Sequence, residues 1–499
     1  MTSMTMAIIG AAFCLFAANL WLIQYAANLT PYWDEWDAGA ASLLKPYLEG
    51  TLALRSLFEP FNEHIIFFPR LVILFVYQVS GYYDVILQMI LNAFALALLA
   101  PIFVTHLSRC VDASRRLYLL MAVILISIIP FAWENTLMGL GGTEFLLTAA
   151  FSIASLTLIV SAPAWSLKWL AGFFLAIAAF LNAASGILAC LAAAFISAVQ
   201  IFSSRRVGAG EWIGVSFLLV ASLVIIKRFV PHIYAHDALR AHSVPEYIFY
   251  CLQLASWPLR YPFGIVLFLP IIAIAARTLR QRPPIASIHW LHMSILVWLG
   301  LQIFILVYGR GQTAVISSRY TYVLQIGLLL NLVCMVQIIP ASLPIRRTLP
   351  WGPLVVAAAF GLVLAIVWHF NPGSLEMKWV EQKKIEGELQ QKHVTDYLRT
   401  KTEQSLADTR DFAVPYPDRR RLSNFLDDHV IRGILPSVLL SKAPSRTFIE
   451  IGKSCILGYW FVFAILGGIL FQAGCFRLKA SGRSSARSAP LQAASNRPS

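Results

Sequence analysis

Charge is scarce in this chain. Lys, Arg, Asp and Glu make up 13% of its 499 residues while 58% are hydrophobic, whereas an ordinary soluble domain carries about 25% charged residues. A soluble globule of this composition is excluded. Cysteine is sparse as well, seven in all. Six of them, Cys14, Cys110, Cys190, Cys334, Cys455 and Cys475, fall in or beside apolar runs and only Cys251 lies in a loop, so no disulfide framework is implied. Neither a phosphate-cradling P-loop nor a G-x-S-x-G nucleophile elbow occurs.

What fills the chain instead is apolar sequence, with a mean hydropathy of +0.70. Runs suited to spanning a bilayer fall at 5–27, 85–105, 117–131, 143–161, 169–182, 186–202, 212–229, 262–276, 289–308, 320–339, 351–370 and 453–475. Twelve helices of roughly 20 residues would use about 240 positions. The run from Met6 to Ala27 lacks a basic leader and reads as a retained first helix, although Ala26-Ala27-Asn28 leaves cleavage open. None of the runs holds an acid or base near mid-span, only amides such as Gln88, Asn92, Gln302, Gln325 and Asn331. A proton-coupled carrier would place ionisable groups at that depth.

The formal charge of +14, from 39 basic against 25 acidic residues, would raise nucleic acid as a partner in a soluble protein; topology is the simpler account here, and no nucleic acid is expected. The run Ile65–Ser80 contains Pro69 and Arg70. Reading it as a helix lying in the interface puts the basic short loops, from Arg109, Arg115 and Arg116 to Arg346 and Arg347, on one side together with the tail cations Arg477 to Arg497. Lys227 and Arg228 are the main exception. Both termini are then cytoplasmic in an inner membrane, and 28–84, 230–261 and 371–452 face outward. The expected fold class is an all-α polytopic membrane protein with about 12 transmembrane helices, interfacial helices in the first outer loop and a small outer-facing domain before the last helix. Its divisions are a transmembrane domain over 1–370, a small periplasmic segment over 371–452 that leans on it, a last span over 453–475, and a basic, disordered cytoplasmic tail over 476–499.

Polar chemistry collects at the outer face. Directly after the first helix comes Pro31-Tyr32-Trp33-Asp34-Glu35-Trp36-Asp37, three carboxylates among interfacial aromatics. If a helix starts here, Asp34 and Asp37 share a face and Glu35 points elsewhere. Two such oxygens can bind a divalent cation, or one can act as a base; equally, the stretch reads as an acidic loop with Trp anchors. Phe61-Asn62-Glu63-His64 and Phe68-Pro69-Arg70 follow, and His64 with Arg70 can meet a phosphate and a hydroxyl, or cap and snorkel. Arg310, between Gly309 and Gly311, and Arg319, before Tyr320, are cations on the side where the charge bias disfavours them, suited to a lipid phosphate or to structural pairing. Glu134 and Glu144 flank a glycine-rich loop. His232, His236, His242 and Asp237 fit no metal-site spacing.

The acidic motif after the first helix, the interfacial helices, the dozen spans and the late outer domain together resemble the C-type membrane glycosyltransferases. The motifs carrying the likeness are Asp34-Glu35-Trp36-Asp37, the Asn62-Glu63-His64 with Phe68-Pro69-Arg70 run, which is similar to that of little-characterised bacterial members, and Ser318-Arg319-Tyr320. The resemblance implies a polyprenyl-phosphate sugar donor and transfer to a glycan, lipid or protein acceptor at the outer face of the membrane. Asp34 or Asp37 would fill the acidic catalytic position, with Glu35 and His64 beside it. Arg70, Arg310, Arg319, Tyr320, Glu63 and Glu134 would surround the substrate and its phosphate. The family is divided over metal, so a divalent cation (Mg or Mn) stays open. The outer segment has no Trp-Trp-Asp motif, unlike oligosaccharyltransferases that modify Asn. A lipid or glycan transporter, or a non-catalytic subunit of an envelope polysaccharide complex, would share the cations without making bonds.

Overall fold

The structure, a computed structural model, describes residues 2–259, 261, 263–338, 374–408, 410, 412–441 and 447–487. The expected span at 351–370, with Arg346, Arg347 and Arg497, lies outside the described residues. Among those residues there is no strand, only an isolated bridge between Phe61 and His64. Helix is what a chain must form where lipid leaves no water to satisfy its peptide groups.

Among the described residues eight helices are long and apolar enough to cross a bilayer: Ser3–Ala26, Val85–Leu107, Gly139–Val160, Ala184–Phe202, Ala209–Phe229, Ile288–Arg310, Ser318–Ile338 and Trp460–Leu478. The chain is an all-α membrane protein. Three further runs expected to span form shorter helices, Ala113–Ile128, Leu167–Phe180 and Leu269–Gln281. At 1.5 Å per residue these reach about 20–24 Å, short of a hydrocarbon layer of about 30 Å. Phe67–Ser80 is likewise only 14 residues long. It buries Arg70, Ile73 and Val76 on one face and leaves Leu71, Phe75 and Val79 exposed on another, the pattern of a helix lying between protein and lipid.

The first and last helices pack backbone to backbone. A Cβ on Gly10 would collide with the main chain of Gly467 and Phe471, and one on Gly467 with Cys14, the close approach that small residues permit between membrane helices. The last helix runs unbroken from Trp460 to Arg487, so the stretch 476–487, expected to be disordered, is helical. A separate helix, Phe448–Gly458, precedes it.

The segment after residue 373 caps the end of the bundle where the first helix finishes. Its helix Ser374–Thr400 presents Val380, Lys383, Gln390, Val394 and Tyr397, all buried, on one face at helical spacing. Asn28 donates to the Gly387 carbonyl at 2.8 Å, Trp33 N–H to the Pro415 carbonyl at 2.9 Å, and Tyr83 N–H to the Ile434 carbonyl at 2.8 Å. Trp36, fully buried, stacks on Phe425 with 6.3 Å between centroids. The cap thus has no core apart from the first loop; the two share one.

Candidate functional site

The acidic motif does not form an α-helix. Glu35–Leu44 is a π-helix, entered through Trp33 in the left-handed region at φ +47°, a conformation that costs a bulky residue on the order of 1 kcal/mol or more. The wider π turn breaks the i,i+3 face that Asp34 and Asp37 were expected to share, and the three carboxylates go to three places.

Glu35 is 1% exposed. One oxygen accepts from Tyr32 N–H at 2.8 Å and the other from Gly139 N–H at 2.9 Å and Leu140 N–H at 3.4 Å. The Gly139–Val160 helix has no side-chain cap of its own, so Glu35 supplies the acceptor its first amides need. Burial pushes its carboxyl up to about 7 despite these donors. Its expected catalytic place is corrected to a structural one.

Asp37 turns toward the cap, accepting from the Tyr416 hydroxyl and the Arg421 guanidinium, each at 2.5 Å. It too leaves the catalytic set, because both oxygens are engaged by the cap.

Of the three, only Asp34 lines a cavity, one of about 20 Å³. The Asp34 carboxylate accepts no hydrogen bond among the described residues, and the cavity is shared with Glu134, Asn135, Gly141, Glu144, Phe145 and Arg319. Burial and the nearby Asp37 raise its pKa, against the pull of Arg319, Arg310 and His236. Such a carboxylate is a better base than one in water.

The cations are arranged around it. Arg319 belongs to the same cavity wall, and its guanidinium donates to Ser317 at 3.1 Å and reaches Glu134 at 3.5 Å. Glu134 also accepts from Ser317 Oγ at 2.8 Å and Arg319 N–H at 2.9 Å. Burial works to raise its pKa, and Arg319 with these donors brings it below the ordinary value. Asn135 donates to the Arg319 carbonyl at 2.8 Å, tying the two loops together. Tyr320 is buried edge-on against Phe145.

Arg310 and Glu63 form a bidentate pair at 3.2 Å, joined by His236 at 2.5 Å from the same carboxylate. Burial would raise Glu63, but these two partners outweigh it and hold it at about 2. Glu63 and Arg310 thus pair with each other beside the cavity and do not line it. His64 accepts the Ala184 N–H at Nδ1, 3.1 Å, leaving Nε2 3.7 Å from Glu144 in the cavity wall. Burial depresses its pKa to about 4.

Arg70 is displaced from its expected role. The residue is 4% exposed and its Nη1 donates to the carbonyls of Leu57, Glu59 and Ile65 at 2.7–2.9 Å, so it pins the first loop.

Two groups at the site were not singled out from sequence. Lys383, from the cap helix, is 8% exposed with its ammonium 3.2 Å from the centroid of the Tyr32 ring. In sequence it is one cation in a charged run; its spacing from Val380, Gln390 and Val394 is the signal that it points inward. Tyr32 belongs to the acidic motif but reads there as an interfacial aromatic.

Below the polar cavity and sharing Asn135 and Phe145 with it lies a larger one of about 420 Å³, lined by Leu22, Leu96, Phe103, Leu146, Ala150 and Ile326 among others, and reaching from the first helix to Ser318–Ile338. Among the described residues no group of three or more His, Cys, Asp or Glu side chains is arranged to hold a metal ion. In comparisons with known proteins, no family model, no curated protein and no solved structure matches the chain.

Proposed function

We propose that the chain is a membrane glycosyltransferase that takes a sugar from a polyprenyl-phosphate donor. The observation that carries this reading is the adjacency of the two cavities: an apolar one of about 420 Å³ shares Asn135 and Phe145 with a small polar one whose wall holds the Asp34 carboxylate and the Arg319 guanidinium. A lipid phosphate has the same division, with hydrocarbon in the chamber and its anionic group beside Arg319.

In the proposed step Asp34 takes the proton of an acceptor hydroxyl as its oxygen bonds to the anomeric carbon. The bond from that carbon to the phosphate oxygen breaks, and polyprenyl phosphate leaves with the electron pair, stabilised by Arg319. The full arrangement would have about 12 spans, with the capped end outside an inner membrane and both termini in the cytoplasm. The distribution of basic loops supports that orientation.

Asp34→Asn is expected to lower transfer by at least about 100-fold, the usual weight of a general base, with membrane expression unchanged, measured on purified protein with a panel of polyprenyl-phosphate sugars. Full activity in the variant would remove the base assignment. Label carried across a vesicle bilayer without a new glycosidic bond would replace transfer by transport.

A further inference from the structure

Glu144 stands in the wall of the small cavity, and the reaction above gives it no part. It belongs to the second turn of the Gly139–Val160 helix, inside a span, where an ionisable side chain is costly and marks function. The residue is 8% exposed, and its carboxylate accepts no hydrogen bond among the described residues. One of its oxygens is 3.7 Å from His64 Nε2.

The hydrogen-bond pattern fixes what His64 presents to it. A peptide N–H can only donate, so the 3.1 Å contact from Ala184 makes Nδ1 the acceptor of the ring. With its pKa at about 4 the ring is neutral near pH 7, and its single hydrogen is therefore on Nε2, the nitrogen that faces Glu144. At 3.7 Å the two form no hydrogen bond. His64 thus draws the Glu144 carboxylate to one side without using up its lone pairs.

The cavity has a volume of about 20 Å³. One water fits such a space, since it needs about 10–15 Å³ and two to four polar partners, and a sugar ring does not. The cavity is scaled to an attacking oxygen. Its two carboxylates without hydrogen bonds, Asp34 and Glu144, match a molecule with two hydrogens to donate, whereas an alcohol oxygen brings one and would satisfy only one of the acids. Arg319 completes the set as donor: its Nε and Nη2 go to Ser317 and Glu134, and its Nη1 has no acceptor among the described residues.

We propose a further activity, hydrolysis of the lipid-phosphate sugar, with a water held between Asp34 and Glu144 as the nucleophile and His64 as the positioning residue of Glu144. Asp34 takes one hydrogen of the water as a proton while the water oxygen bonds to the anomeric carbon. The bond from that carbon to the phosphate oxygen breaks, and the electron pair leaves with polyprenyl phosphate. Glu144 accepts a hydrogen bond from the second hydrogen, which stays on the oxygen as the new hydroxyl of the free sugar. The inference rests on the lipid-phosphate reading and adds water to the acceptors open to it.

The test uses the full-length protein in a detergent without hydroxyl groups, in water carrying a heavy oxygen isotope. The probes are farnesyl-phosphate glucose, mannose and arabinose, each with and without octyl glucoside as acceptor. Without acceptor, free sugar should appear with the heavy oxygen on its anomeric carbon, read within minutes against unlabelled free sugar in the same water, and farnesyl phosphate should carry none. Glu144→Gln should lower the ratio of hydrolysis to transfer roughly tenfold, the weight of one charge-assisted hydrogen bond, because a hydroxyl acceptor has no second hydrogen for Glu144 to hold. His64→Phe should lower the same ratio, and His64→Gln, which keeps an N–H near the place of Nε2, should recover it in part. The ratio does not depend on how much of a variant folds, so misfolding cannot imitate the effect. Heavy oxygen in farnesyl phosphate, transfer with no free sugar, or an unchanged ratio in Glu144→Gln would overturn the inference and leave the donor class intact. If no probe yields either product, the lipid-phosphate reading fails and the inference with it.

Discussion

Glu35, Asp34 and Asp37 are neighbours in sequence with nearly the same side chain, yet one caps a helix, one faces a cavity and one binds the cap. The partners within about 3 Å decide each role. Glu63 shows the energetic side of such pairing. Its carboxyl is held at about 2 against an ordinary 4.5, so the folded protein binds its proton less readily than the unfolded chain does. The stability this pairing contributes is complete above pH 4.5 and is lost as pH falls toward 2. At about 1.4 kcal/mol per unit it is worth up to roughly 3 kcal/mol. Glu63→Gln should lower the melting temperature near neutral pH and flatten its decline between pH 4.5 and 2, as read by thermal unfolding in detergent. An unchanged acid limb would show that the Arg310 and His236 contacts contribute little.

At the scale of elements, the π-helix after the first span and the cap helix Arg419–Asp427 form a single unit. Asp37 is the polar joint between them, through Tyr416 and Arg421. Asp37→Asn and Arg421→Met should therefore share a phenotype, faster proteolysis within 401–441, and the double variant should be little worse than either single one, because all three break the same contact. Asp34→Asn should leave proteolysis unchanged. Additive effects of Asp37→Asn and Arg421→Met would mean that the two residues act separately.

For the molecule as a whole, the joining of a polar and an apolar cavity matters more than either alone. The chamber of about 420 Å³ is lined from six helices, the first Ser3–Ala26 and the last Thr321–Ile338, and on the lipid-phosphate reading its volume would set how much of a lipid chain is buried. Ala150→Trp would fill part of it. Affinity for a long polyprenyl phosphate should fall by roughly tenfold, about 1.4 kcal/mol, while that for a two-isoprene phosphate changes little. Equal losses for both chain lengths would place the hydrocarbon elsewhere.

The membrane class, the helical fold and the positions of eight helices long and apolar enough to span were legible in the sequence, because apolar length and hydrogen-bond satisfaction in lipid are local properties of the chain. The gathering of polar residues at helix ends was legible for the same reason: ionisable groups are costly deeper in. The sequence also marked Asp34, Arg319 and Glu134, which now line one cavity, but gave equal weight to Asp37, Glu35 and Arg70. Only the tertiary structure separated these. The π-helical turn, the uncapped Gly139–Val160 helix and the carbonyls around Arg70 are formed by residues far apart in the chain, and a charge takes its role from the partner that reaches it. Lys383 makes the same point in reverse, since a lysine in a charged helix becomes a buried ammonium only when another part of the chain folds over it.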